Sequence, residues 1–209
     1  FWIYRTASGN DYMVCVGNTN SAAGMEVYIG SNGGQFNFYH NGGSRIYSTS
    51  SIPALNEWSH IAVVRNSGTV TMYLNGTSLG TYSMTDTISG EVYVNGELYN
   101  SSVTSGGDGY MRDVRIVDGT AIYTSNFTPP TEKLTEVSGT EVLLCNLPYI
   151  ADNSSNNLAL TITGSPETVP FTPYNAQGYS ASSHLGSARF DGSGDYLEID
   201  DGTWLTLGN

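Results

Sequence analysis

Lysine and arginine together number only 7 in 209 residues, against 19 aspartates and glutamates, so the formal net charge is −12. A nucleic-acid binder needs a basic footprint to displace counterions from phosphates. This chain has none, and the same shortage argues against anionic membrane surfaces. No apolar run reaches the 18 or so residues that would span a bilayer as a helix, so no membrane insertion is expected. No stretch keeps a 3.6-residue apolar period, which removes the case for helices. No secretory leader is visible. The chain opens without Met in a strand-like run, as expected of a mature piece.

Cysteine is also scarce. Cys15 and Cys145 are the only two, too few for a disulfide framework. Each sits in an apolar run, so they are either two buried thiols or one bridge suited to an oxidising compartment. Neither has a neighbour at zinc-ligand spacing. Histidine appears three times, as His40, His60 and His184. None accompanies a nucleophile elbow of the Gly-x-Ser-x-Gly type. His60 reads as structural, and His40 as a loop residue beside Asn41-Gly42-Gly43.

What is abundant is glycine (25) and tyrosine (15), with 39% hydrophobic residues. That composition can bury a core and is rich in turns. Short strand-like runs recur about every 8–12 residues between Gly, Asn, Ser and Asp, as in sandwiches and barrels. Met25, Val27 and Ile29 alternate with Glu26 and Tyr28. Val70, Met72 and Leu74 alternate with Thr71 and Tyr73. Leu197 and Ile199 alternate with Tyr196, Glu198 and Asp200. A period of two places each apolar set on the core side of a sheet. Gly109–Val117 reads as one strand. Asn75-Gly76 and Asn95-Gly96 suit tight hairpins, and Asp118-Gly119 is a third candidate. The stretch 124–138 contains Pro129-Pro130 and reads as an extended connection across the sandwich. The fold expected is all-β, an antiparallel β-sandwich.

Trp58-Ser-His-Ile-Ala-Val-Val-Arg65 followed by Val70-Thr-Met-Tyr-Leu-Asn-Gly76 resembles the central hairpin of laminin G-like, concanavalin A-like domains. Gly109 through Tyr123, continuing into Asn126-Phe-Thr-Pro-Pro130, resembles a subgroup of that family seen in phage structural proteins and large extracellular bacterial proteins. Ala188-Arg-Phe-Asp-Gly-Ser-Gly-Asp-Tyr-Leu197 is similar to the family's opening strands, and Phe1-Trp-Ile-Tyr-Arg5 to the strand that follows them. The resemblance implies a jelly roll and a non-enzymatic, extracellular, cell-surface or virion-surface setting. The opening strands stand at the wrong end, however. Residues 1–185 form the main body and 186–209 the opening strands, cut out of phase. Those strands either return beside Phe1–Arg5 or complete a neighbouring copy. The second route would make head-to-tail copies of the chain its partners, as in a filament, adhesin or virion fibre. The alternative is a stand-alone carbohydrate-binding module.

The same fold hosts laminarinase-type hydrolases, with a Glu-x-Asp-x-x-Glu pattern on one strand. Glu198-Ile-Asp200-Asp201 is superficially similar, but the closing position is Thr203, so no catalytic residue is assigned. Related modules often hold calcium with loop carboxylates. Asp191, Asp195, Asp200 and Asp201 are the candidate ligands, with ordinary Asp-Gly turn chemistry as the rival reading. No cofactor is required. Tyr28, Tyr39, Tyr47, Tyr73 and Tyr93 fall opposite the apolar sets. They can stack on sugars, fill a subunit contact, or simply suit strands. Sequons place glycosylation candidates at Asn75, Asn100, Asn126 and Asn153.

Overall fold

A computed structural model describes residues 1–30, 33–174, 186–200 and the backbone of 206–207. No helix occurs among them, so none is long and apolar enough to cross a membrane. Two seven-stranded antiparallel sheets carry the chain. The first runs β17 (Glu167–Val169), β18 (Ser187–Asp191), β13 (Asp108–Arg112), β1 (Trp2–Arg5), β6 (Trp58–Asn66), β7 (Thr69–Leu74) and β8 (Thr77–Ser83). The second runs β16 (Thr161–Thr163), β19 (Tyr196–Ile199), β10 (Val92–Val94), β2 (Asp11–Val16), β3 (Met25–Gly30), β4 (Gln35–His40) and β5 (Gly43–Ser48). Three short pairs complete the set: β9 (Ile88–Ser89) with β20 (Thr206–Leu207), β11 (Gly96–Tyr99) with β12 (Ser102–Ser105), and β14 (Val114–Val117) with β15 (Thr140–Leu144).

Alternation decides which residues enter the core. Val27 and Ile29 of β3 and Phe36 and Phe38 of β4 from the second sheet share one core cluster with Ile61, Val70 and Met72 of the first, and Met25 packs against it. The late strands pair within the chain, though not beside Phe1–Arg5 itself. β18 pairs with β13, one strand removed from β1, and β19 pairs with β10. Phe190, Ala188, Leu197 and Ile199 enter the same core, each at most 1% exposed. Alternation puts these apolar residues on the inner face of both strands.

Several expectations need correction. Gly109–Val117 is two strands, because Asp113 has φ 52° and turns the chain between β13 and β14. Its buried carboxylate accepts a hydrogen bond from the Tyr174 hydroxyl. Asn75-Gly76 does close the β7–β8 hairpin, with φ of 49° and 77°. Asn95-Gly96 does not close one. It is the corner between β10 and β11, with the buried Asn95 amide donating to Asp195 O at 3.1 Å. His40 is buried, its ring nitrogens 2.9 Å from Gly24 O and from Asp86 Oδ2. The connection over 124–138 crosses the outer face of the first sheet, where Phe127 packs on His60 and Tyr73. His60 there is held neutral, its pKa lowered to about 2 by burial.

Cys15 and Cys145 are both free. Cys15 lies in β2 of the second sheet, and Cys145 follows β15 against Ala188 of the first, so a layer of core separates them. Burial pushes the Cys145 thiol up to about 12 and the Cys15 thiol up as well. A thiol-titrating reagent should find two thiols in denaturant and almost none reacting promptly in the native state. Phe190→Ala should cost about 3–5 kcal/mol in urea unfolding; a cost below about 1 kcal/mol would show that β18 is not seated as described.

Candidate functional site

The outer face of the second sheet is where chemistry-bearing side chains converge. Strand register sets two rows across it. One row is Thr161, Glu198, Tyr93, Cys15, Glu26, Tyr39 and Ser44, each directly opposite the next. The parallel row is Tyr12, Tyr28, Asn37 and Tyr47. The β2–β3 pairing shifts register between Tyr12 and Val14. That irregularity points Tyr12 to the same outer face as Tyr28, and their rings stack 6.1 Å apart. Tyr28 and Tyr39 meet edge to face at 5.9 Å.

The β11–β12 hairpin folds back over the middle of the first row. Its turn residues Asn100 and Ser101 both have positive φ, 47° and 64°, which closes a two-residue turn. Leu98 N–H donates to Cys15 Sγ at 3.5 Å, and Thr19 N–H donates to Leu98 O at 3.1 Å. Asn20 Nδ2 donates to Asn100 Oδ1 at 2.9 Å. This brings Glu97 down onto Glu26, and the two carboxyl groups share a hydrogen bond, with Tyr12 bonded to Glu97. Glu26 is 2% exposed. Two carboxylates cannot meet this way unless one holds a proton. Burial, and then the neighbouring Glu97, hold the Glu26 carboxyl protonated well above the ordinary range, and burial raises Glu97 too. The second oxygen of Glu26 and the amide oxygen of buried Asn37 have no hydrogen-bond partner. The result is a shelf of tyrosine rings around buried polar groups. Tyr47 and Tyr99 are its most open members, at 59% and 41% exposure.

The tyrosines expected opposite the apolar sets divide accordingly. Tyr28, Tyr39 and Tyr47 belong to the shelf, and Tyr93 lies beneath its edge against Tyr196. Tyr73 is on the other sheet and 2% exposed, covered by Phe127. Tyr12, Tyr99, Glu26 and Glu97 were not foreseen as site residues. The alternation of Glu26 with Tyr28 carried part of the signal, but nothing local places Glu97 above β3.

The acidic loop residues are engaged differently. Asp195 is buried, and its two oxygens accept from Ser165 N–H at 2.7 Å and Asp191 N–H at 3.0 Å. Asp191 Oδ1 accepts from Ser193 N–H at 2.8 Å, a local turn. Asp200 is exposed beyond β19, and Asp201 lies outside the described residues. Among the described residues no three His, Cys, Asp or Glu side chains converge as metal ligands would. Glu198 has its carboxyl raised by partial burial and by the charges of Glu91 and Asp200, against a hydrogen bond with Tyr93 that lowers it. All four sequon asparagines are exposed. The side-chain oxygens of Asn75, Asn100 and Asn126 accept from His60 N, Asn20 Nδ2 and Ser78 N respectively.

Two seven-stranded antiparallel sheets packed on one apolar core define a β-sandwich. The sequence model described as the concanavalin A-like lectin/glucanases superfamily matches residues 1–122 of the 209. The chain belongs to that family. No curated protein matches it, and no solved structure does.

The acid pair has a measurable pH signature. Glu26 keeps its proton in the folded chain where the unfolded chain has lost it. Stability therefore falls as pH rises above the ordinary glutamate value of 4.5. Glu26→Gln should flatten that decline in urea-unfolding midpoints between about pH 4.5 and 7.5, gaining on the parent as pH rises. A parent profile that climbs over this window would contradict the shared proton.

Proposed function

We propose that this chain is a non-enzymatic adhesive module that holds neutral glycans against the tyrosine shelf of its second sheet, in an extracellular, cell-surface or virion-surface setting. The observation that supports it is the gathering of Tyr12, Tyr28 and Tyr39 with the open rings of Tyr47 and Tyr99 on one outer face. Rings offer apolar faces for pyranose C–H groups, and tyrosine hydroxyls can exchange hydrogen bonds with sugar hydroxyls. The net charge of −12 disfavours sulfated or sialylated chains.

The carboxyl pair argues for binding rather than hydrolysis. Glycosidase carboxyls stand about 5–5.5 Å apart in retaining enzymes and about 6.5–9.5 Å in inverting ones. Glu26 and Glu97 touch each other, leaving no room for a scissile bond between them. As to setting, a filament built by passing strands between copies would leave β18 and β19 to a neighbour. Their pairing with β13 and β10 of the same chain favours a module complete in itself. Calcium has no necessary part in this reading.

A glycan array followed by calorimetry tests it. Neutral oligosaccharides should bind, and Tyr28→Ala and Tyr47→Ala should each weaken binding about tenfold, the loss of about 1.4 kcal/mol. Tyr73→Phe should leave affinity unchanged. Absence of any neutral glycan among the ligands would remove the proposal.

A further inference from the structure

The β11–β12 hairpin leaves the second sheet at a fixed root. Asn95 N–H donates to Met13 O at 2.8 Å, and Gly106 N–H donates to Asn95 O at 2.7 Å. Gly194 N–H donates to Ser105 Oγ at 3.2 Å at the same end. A side chain at Gly106 would collide with Tyr12 O and the Asn95 amide, so glycine lets the two arms close there.

The arm beyond that root is lightly held. None of its apolar side chains, Leu98, Tyr99 and Val103, is fully buried. Its seat is polar: Thr19 N–H on Leu98 O, Leu98 N–H on Cys15 Sγ, Asn20 on Asn100, and Glu97 on Glu26. A segment with so few buried apolar contacts opens locally at low cost. What it covers is closed to water, since Cys15 is fully buried and Glu26 nearly so.

The titratable groups gathered there come from every neighbouring element. Glu97 and Tyr99 belong to the hairpin, Tyr12 and Cys15 to β2, and Tyr39 to β4, with Tyr28 beside Glu26 on β3. Glu91, at the start of β10, bears on Cys15. None of these groups is a cation, so the shared proton is what lets the two carboxyls touch.

We propose that the β11–β12 hairpin is a proton-operated cover: it stays seated while Glu26 and Glu97 share a proton, and it lifts about its root, uncovering Cys15, when both are ionised. Seated, Glu26 is out of water and holds its proton. Lifted, it meets water and titrates like an ordinary glutamate, at 4.5. Raising pH above that value therefore favours the lifted state, by up to about tenfold per pH unit until the seated pair itself ionises. Lifting also carries Tyr99 off the shelf and frees Tyr12 of its bond to Glu97. The movement itself requires no glycan.

Labelling of the native chain with N-ethylmaleimide, read peptide by peptide, tests it. Each thiol's rate is divided by its rate in the denatured chain at the same pH, which removes the ordinary gain in thiolate. Between about pH 5.5 and 8 the normalised rate at Cys15 should rise at least about tenfold. It should exceed that at Cys145 by at least about tenfold and be unmoved by about 1 M urea, because a local opening exposes little surface. Cys145, reached only by unfolding, should label faster in the same urea. Glu26→Gln should cut the rise at Cys15 to under about threefold, and adding Glu97→Gln should abolish it. A Cys15 rate in the parent that is flat with pH overturns the proposal. So does one that follows Cys145 in urea, or a rise that persists in full in the double variant.

Discussion

The structure hangs on two antiparallel pairings made late in the chain: β18 on β13 and β19 on β10. One strand joins each sheet, so the segment from Ser187 to Ile199 laces the sandwich together from both faces. Phe190 and Ala188 enter the core from the first sheet, Leu197 and Ile199 from the second. The link between them is braced by Asp195, whose carboxylate accepts Asp191 and Ser165 N–H groups. Arg112, fully buried, donates to Gly186 O at 2.6 Å and fixes where β18 begins. Without this lacing, β10 and β13 would be open edges, and Tyr93 would lose the strand that carries Glu198 opposite it.

The tyrosine shelf is a consequence of the same order. Its rows exist only because seven strands keep one register from β16 to β5, apart from single-residue shifts near Met13 and Tyr39. A bulge is a usual device for re-aiming side chains, and the one in β2 turns Tyr12 to the face of Tyr28. The hairpin that covers the row then does something a flat sheet could not. It takes Glu26 out of water, so the carboxyl retains a proton and becomes a neutral donor and acceptor rather than a charge.

Strands whose inner face repeats apolar residues every second position were legible: β3, β7 and β19 came straight from alternation. β5 and β8 were not, because an edge strand buries little. Ile46 is the one fully buried residue of β5, and β8 has none. The break at Asp113 was invisible for another reason. Its positive φ is held by Tyr174, 61 residues away, so no local pattern announces it. The site was half legible. Tyr28, Tyr39 and Tyr47 share a face by period two, but their grouping with Tyr12, Tyr99 and Glu97 depends on strand order and on a hairpin folding back. Tyr73 obeys the same periodicity but lies under Phe127, a tertiary contact that no local pattern announces.

Charge is spent inside this protein as well as outside it. Of the seven cationic side chains, Arg5 and Arg112 are buried, one paired with Asp11 and the other beside Asp113. The surface is therefore poorer in positive charge than the composition suggests, while most acids remain outside. Such a surface repels anions at long range and cannot attract a neutral ligand by its field. A neutral ligand would have to be held by contact, for which the open rings of Tyr47 and Tyr99 are the most accessible groups of the shelf. The placing of those rings follows from the strand register of the second sheet, and that register is seated on the one apolar core that both sheets share.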